Sequence, residues 1–146
     1  MAKHIALPAL LLATFTAGVS VGRTTVPAAP APPQPPGRVF ELRTYTSPPG
    51  KLPDLHRRFR EHTTRLFERH GMTNVGYWTP QDSVRSQNTI VYLLAHPSRE
   101  AARASWRAFG QDPEWRQASR ASEVNGRIVE RVESVFLDPT DYSPMK

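Results

Sequence analysis

A proline-rich stretch at residues 24–37, TTVPAAPAPPQPPG, limits the part of this chain that can fold into a domain. Such a composition stays extended and cannot bury enough apolar area to form a core, so we expect a semi-rigid linker there. Residues 38–146 remain, which is enough for one domain with a single modest core. Cysteine is absent, which excludes disulfides, thiolate metal sites and a thiol nucleophile.

Residues 1–23 have the composition of an export signal. One lysine precedes a run of 18 residues without a charge, from Ile5 to Gly22. A run of this length lies on the border between a signal-peptide core and a membrane span. We therefore expect a signal peptide or a membrane anchor. The domain would then be periplasmic or extracellular, or anchored to the membrane by residues 5–22, with no other membrane contact.

Two hydrophobic patterns follow each other in the first half of the domain. Polar and apolar side chains alternate along residues 38–46, as they do in a strand. The segment from Leu52 to His70 has apolar residues at helical spacing. Gly71 is placed as the C-terminal stop of that helix. The segments MTNVGYWTP and NTIVYLLAH then predict two strands joined by a polar hairpin connection.

Capping residues define the helices of the second half. Ser98 fits the N-cap of REAARASWRAF, and Gly110 is placed as the end of that helix. Asp112 followed by Pro113 predicts the start of a shorter helix. The last segment, GRIVERVESVFLDP, fits a helix as well as a strand. If it is a strand, the order βαββαβ predicts an α+β, ferredoxin-like fold with helices on one face of a four-stranded antiparallel sheet.

The predicted sheet leaves its second face without a cover. Because an exposed apolar sheet face is usually covered by a partner, we expect a homodimer in which two sheets stack face to face as a dimeric α/β barrel. The formal charge is +6, but the arginines are interspersed with acids and form no one-sided basic stripe. We therefore expect no nucleic-acid partner.

Five segments, in this order along the chain, resemble the NIPSNAP family, a branch of the dimeric α/β-barrel superfamily. They are FELRTYT, PGKLP, GYWT, DPEW and LDPTDYSPM. The resemblance covers residues 39–145 and identifies residues 38–146 as a NIPSNAP-like domain. It implies a ferredoxin-like protomer, a strand for the last element, and a dimer. It implies less about activity, because the superfamily includes cofactor-free monooxygenases, haem-degrading enzymes and isomerases as well as members with no known chemistry.

Alternation along the strands predicts a polar ligand pocket inside the barrel, with Phe40, Leu42 and Thr44 turned toward the helices instead. The candidate pocket residues are Glu41, Arg43, Tyr45, Trp78, Tyr92 and His96. An arginine beside aromatic walls suits a planar, anionic or phenolic small molecule. His96, near a rim, could act as a general base. The alternative is that Glu41 and Arg43 pair with each other or across the dimer, while the aromatic residues simply pack.

We expect no metal and no cofactor. His56, His62 and His70 are six and eight residues apart, not the three or four that place two ligands on one helix face. No HExxH motif, Gly-rich phosphate loop or GxSxG elbow occurs. Haem binding through His96 is the one cofactor hypothesis that remains to be weighed.

Two hypotheses about function follow from the resemblance. The first is an exported NIPSNAP-type homodimer, without assigned chemistry, that binds a small molecule or a partner in or near its barrel. The second is a cofactor-independent monooxygenase or isomerase that acts on an aromatic or polyketide-like substrate. A pocket large enough for a ring, with Arg43 and His96 converging on it, would favour the second. A barrel interior filled by side chains would favour the first, and no catalytic residue is assigned.

Overall fold

Four strands and four α-helices lie in residues 37–146, the part of the chain that the computed structural model describes. The strands are β1 (Val39–Thr46), β2 (Thr73–Trp78), β3 (Thr89–His96) and β4 (Arg131–Leu137). The helices are α1 (Leu52–Arg58), α2 (Thr64–Arg69), α3 (Arg99–Gln111) and α4 (Pro113–Ser122), with a π-helical turn (Phe59–Thr63) between α1 and α2 and a 3-10 turn (Arg85–Gln87) before β3. The predicted order is confirmed, and the last element is a strand.

The four strands form one antiparallel sheet in the order β2-β3-β1-β4. Helices pack on one face, so the fold is α+β and ferredoxin-like, as predicted. The main core lies between the helices and this helix-facing side of the sheet. Its buried members are Leu52, Leu55, Phe59, Leu66, Phe67, Met72, Ile90, Tyr92, Leu94, Phe109 and Ile128.

The predicted leader and most of the predicted linker lie outside the described residues. The leader was placed at residues 1–23 and the linker at residues 24–37, of which only Gly37 is described. Within residues 37–146, no helix is both long enough and apolar enough to cross a membrane.

The predicted N-caps of the two C-terminal helices are confirmed. The side chain of Ser98 accepts a hydrogen bond from the backbone nitrogen of Ala101, and Asp112 accepts two at the start of α4. The prediction that Gly110 ends α3 is wrong, because the helix continues to Gln111. Asp112 ends it instead. It precedes Pro113, and a residue before proline is driven toward the extended conformation that Asp112 adopts (φ −61°, ψ 124°).

The predicted helix from Leu52 to His70 contains one wider turn. The π-helical turn inserts between α1 and α2 without interrupting the helical chain. Two hydroxyl groups bond carbonyls five residues earlier: Thr63 Oγ1 donates to Arg58 O at 3.2 Å and Thr64 Oγ1 to Phe59 O at 3.3 Å. Such π turns occur frequently at functional sites.

The predicted assignment of the two faces of β1 is wrong. Glu41, Arg43 and Tyr45 point toward the helices: Trp106 of α3 donates to Glu41, and the Tyr45 ring meets Phe59. The opposite side, which we call the helix-free face, carries an apolar cluster. Its members are Phe40, Leu93, Ala95 and Leu42. Alternation shows which residues share a face, but the polar partners that α3 and β4 offer to Glu41 decide which face the helices cover.

Candidate functional site

A polar cluster lies between the sheet and α3, and its centre is the buried carboxylate of Glu41. This carboxylate accepts hydrogen bonds from Arg43 Nη1 at 2.6 Å, Ser134 Oγ at 2.6 Å, Trp106 Nε1 at 2.7 Å and His96 Nε2 at 3.0 Å. The donors come from β1, β4, α3 and β3, so four elements hold one side chain in place. We call these five residues the Glu41 cluster.

The contacts of the Glu41 cluster keep its carboxylate ionised. Burial by itself raises the pKa of Glu41. The hydrogen bonds from His96, Ser134, Trp106 and Arg43 lower it by more, so that the pKa is about 2 instead of 4.5. Glu41 is therefore a buried anion with its acceptor positions filled by protein donors.

Arg43 is also held by protein groups. Besides its 2.6 Å ion pair with Glu41, its guanidinium lies 4.2 Å from the ring centroid of Trp106 and 5.5 Å from that of Tyr45. This is the predicted alternative, in which Glu41 and Arg43 pair with each other and the aromatic residues pack. Because the guanidinium stacks on Trp106, replacing it by an ammonium group would lose this planar contact.

Tyr45 and Tyr92 belong to an aromatic core. The two rings meet edge to face at 5.3 Å, and Tyr92 also stacks on Tyr77 at 5.4 Å. Tyr92 has no exposed surface, and burial raises the pKa of its hydroxyl well above the usual value. Both rings therefore fill space beneath the helices.

His96 is closed off from solvent. Its side chain is fully buried, Nε2 bonds Glu41, and Nδ1 has no hydrogen-bond partner among the described residues. In this position it cannot reach a substrate in solution or ligate a haem without rearrangement. The predicted location near a barrel rim is wrong, because His96 lies on the helix-facing side like Glu41. A ligand-binding role for these residues stays a prediction.

A cleft of about 310 Å³ lies between the helical segment Leu52–Arg69 and the edge strand β2. We call it the edge cleft. It is lined by His56, Phe59, Arg60, Thr64, Tyr77, Trp78, Thr79 and Ile90. Of the six predicted site residues only Trp78 lines it, so the structure separates Trp78 from the other five.

Three aromatic side chains, those of Phe59, Tyr77 and Trp78, line the edge cleft. Phe59, in the π-helical turn, meets Tyr77 edge to face at 5.7 Å. The Tyr77 hydroxyl donates to Asn74 Oδ1, and burial raises the pKa of that hydroxyl, which therefore stays neutral. The cleft thus offers ring faces and edges, a largely apolar surface, next to the core stack of Tyr77 on Tyr92.

The position of the Trp78 ring depends on the absence of a side chain at Gly76. It pairs with Val91 and so belongs to the helix-free face, as predicted, but it lies on an edge strand and also borders the cleft. Its side chain is 53 % exposed. The ring covers Gly76, where an added Cβ would come within 2.6 Å of Trp78 Cη2. Only glycine permits this close approach.

Two basic side chains stand at the edge cleft. His56 Nε2 lies 3.4 Å from Thr79 Oγ1, and burial followed by the nearby charge of Arg60 lowers the pKa of this histidine below its usual value. His56 is therefore mostly neutral at pH 7. No acidic residue is among those that line the cleft in the described part of the chain.

The prediction missed the edge cleft because the cleft joins a helical segment and an edge strand that are distant in sequence. A register shift occurs between Asn74 and Gly76 of β2, and beyond it Tyr77 pairs with Tyr92 on the core side. One signal was present: His56, Arg60 and Thr64 recur at every fourth position and so share one face of the helix.

Residues 37–146 contain no group of three or more histidine, aspartate or glutamate side chains arranged to hold a metal ion. Some ion pairs in this range lie within one element, and others join two helices. Arg65, for example, contacts Glu114 across α2 and α4.

Comparison with known proteins gives a family and a fold. The NIPSNAP family model matches residues 40–144. A solved NIPSNAP-like domain protein of Burkholderia xenovorans is 18 % identical, with a TM-score of 0.64 over 75 % of this chain and 90 % of its own. A solved NIPSNAP family protein of Agrobacterium tumefaciens is 21 % identical, with a TM-score of 0.64 over 76 % of this chain and 96 % of its own. A second one from the same organism is 20 % identical, with a TM-score of 0.65 over 75 % of this chain and 99 % of its own. Among curated proteins no sequence matches.

Proposed function

This chain belongs to the NIPSNAP family, and from that premise we propose that it is an exported homodimer that binds a small planar molecule in the edge cleft. The observation that carries the proposal is the cleft itself, about 310 Å³ in volume and walled by Phe59, Tyr77 and Trp78. Ligand sites in proteins are mostly apolar concavities of about 300–1,000 Å³ with a few polar groups. A cleft at the lower end of that range suits a molecule of one or two rings.

The homodimer is supported by the helix-free face. On this face Val135 and Leu137 of β4 are 53 % and 41 % exposed, whereas the clustered Phe40, Leu93 and Ala95 are already buried within the single chain. An apolar sheet face of this kind is typical of an interface, and a second copy offers a self-complementary partner. The proposed partner is therefore the same chain.

Export is supported by the uncharged run from Ile5 to Gly22 at the start of the sequence. A fusion of residues 1–37 to alkaline phosphatase, which is active only outside the bacterial cytoplasm, tests this part of the proposal. We expect activity from the fusion and none after two arginines are inserted into the apolar run. An inactive fusion would contradict export without touching the proposal about the cleft.

A cofactor-independent monooxygenase or isomerase is the second candidate, and His56 favours it over a purely binding role. Its imidazole is mostly neutral at pH 7 and borders the cleft, so it could accept a proton from a phenol or an activated carbon of an aromatic or polyketide-like substrate. His56 replaces His96 as the candidate base, because His96 is buried against Glu41. A bound molecule that is chemically altered by the wild type but not by H56Q would support this candidate.

Native mass spectrometry of the protein purified from its own host tests the binding proposal. We expect a dimer that retains a small molecule. Thr79, exposed at the cleft, is changed to phenylalanine to fill the space, and Gln81→Phe serves as a control two residues further along and outside the cleft. T79F should lose the retained molecule and Q81F should keep it. Equal retention by both variants would exclude the edge cleft as the site.

A further inference from the structure

We propose that the ligand of the edge cleft carries a negative charge beside its ring system, and that Arg60 binds this charge with His56 adjacent. The inference rests on the proposed function and specifies the chemical class of the ligand: an aromatic carboxylate, sulfonate or phenolate. Three features of the cleft support it.

The first feature is the unpaired charge of Arg60. The helical segment Leu52–Arg69 carries five arginines, and the other four each form an ion pair with a carboxylate. Those four are Arg57, Arg58, Arg65 and Arg69. Within residues 37–146 the Arg60 side chain has neither an ion pair nor a hydrogen bond, although it borders a formed cleft. Its donors are therefore free for a ligand.

The second feature is the sign of the charges at the edge cleft. Arg60 supplies the positive charge, and the mostly neutral His56 lies one helical turn away on the same face. The facing strand contributes Tyr77 as its titratable group, and burial raises the pKa of that hydroxyl, so it adds no negative charge at neutral pH. The nearby Glu61 lines a different groove, with Ala118 and Ser122 of α4. An anion in the cleft would meet positive charge without a competing carboxylate.

The third feature is the combination of an arginine with ring surfaces. The planar guanidinium of Arg60 can donate two parallel hydrogen bonds to a carboxylate or sulfonate. Phe59, Tyr77 and Trp78 offer faces and edges for the ring of the same molecule. A cation without such rings would suit any anion. Rings without the cation would suit any apolar molecule.

Two fluorescent dyes that share their ring system test the inference on the whole protein. 1-Anilinonaphthalene-8-sulfonate carries a sulfonate, and N-phenyl-1-naphthylamine lacks it. We expect R60Q to weaken binding of the sulfonate about two- to fivefold, the range for a partly exposed ion pair. Binding of the neutral dye should not change. R107Q is the matched control, because Arg107 is exposed on α3, has no ion pair among the described residues and lies outside the cleft.

The outcomes distinguish failure of the charge inference from failure of the proposal that the edge cleft binds a ligand. If R60Q leaves both dyes unchanged or weakens both equally, or if R107Q weakens the sulfonate as much as R60Q does, the charge inference is overturned. The proposed cleft function would still stand if T79F abolishes binding of both dyes. If neither dye binds, or if T79F has no effect on either, the proposed function fails and the charge inference fails with it. R60K, which keeps the charge, should retain part of the affinity for the sulfonate.

Discussion

Glu41 is ionised at neutral pH although its side chain is almost entirely buried. A buried charge is tolerated only when other groups replace its hydration, and four donors do so in this protein. Breaking such an arrangement is costly because the remaining partner charge, that of Arg43, stays buried without compensation. The Glu41 cluster therefore contributes to the stability and positioning of the core.

E41Q is expected to destabilise the domain by about 3 kcal/mol, because it leaves Arg43 as an uncompensated charge under α3. The free energy of unfolding in urea measures this loss. E130Q is the matched control: Glu130 is exposed, its side chain has no partner among the described residues, and its replacement should cost less than about 0.5 kcal/mol. Equal losses in the two variants would contradict the role assigned to Glu41.

Glu41 also predicts a dependence of stability on pH. Its pKa is about 2 in the folded protein and 4.5 when unperturbed. The folded state therefore favours the ionised form. This contribution is fully present above pH 4.5 and is lost as the pH falls from 4.5 through about 2, by about 3 kcal/mol at most.

Urea unfolding of the wild type and E41Q at pH 7, 5 and 3 measures that contribution as a difference. We expect the difference in unfolding free energy between the two proteins to be largest at pH 7 and smaller at pH 3. Other carboxylates lower the stability of both proteins alike, so they cancel. If the unfolding free energies of the two proteins changed in parallel across this pH range, the cluster would not stabilise the ionised form of Glu41.

Among the structural elements, two helices have a glycine near their C-terminal end. One glycine follows α2 in the left-handed conformation, and the other lies inside α3 in the helical conformation. Gly71 has φ +76° and follows α2. Its backbone nitrogen donates to Glu68 O, and that of Met72 donates to Phe67 O, which is the Schellman arrangement. Gly110 lies inside α3, and an added Cβ there would meet nothing within 4 Å.

The two glycines should respond in opposite directions to alanine. G71A is expected to destabilise the domain by about 1 kcal/mol, because a side chain is strained at positive φ. G110A is expected to stabilise it by about 0.5 kcal/mol, because alanine loses less backbone freedom in a helix. Each variant is the control for the other, and urea or thermal unfolding measures both. A shift in the same direction for both would contradict the left-handed conformation of Gly71 or the helical one of Gly110.

For the whole molecule, the question is what covers the helix-free face. The helices leave Leu42 and Val135 on this side, paired across β1 and β4. A proposed second copy would bury them and add a second sheet. Most of the edge cleft lies on the helix side of the sheet edge, and Trp78, which belongs to the helix-free face, would border both the cleft and the proposed interface.

V135D is expected to yield a monomer in multi-angle light scattering or native mass spectrometry, because it places a charge in the proposed interface. The fold should survive, since Val135 is already 53 % exposed in the single chain. V124D is the control, because Val124 is 80 % exposed in the connection after α4. A wild-type monomer, or a V135D dimer as stable as the wild type, would exclude this interface.

Local residue patterns were sufficient to predict the order of elements. Alternation in β1 and β3, helical spacing in α1 and α2, and the caps Ser98 and Asp112 act over a few residues. They can therefore be read without knowing the tertiary fold. The π-helical turn and the bulge near Val75 are also local, but no residue type requires them.

The functional surfaces depended on contacts between distant parts of the chain. Residue order alone places Glu41, Arg43 and Tyr45 on one face, because side chains alternate along any strand. That this face lies beneath the helices depends on contacts between distant elements, because Trp106 and Ser134 supply the donors that make burial of Glu41 tolerable. The edge cleft likewise forms only where a helix meets the edge of the sheet.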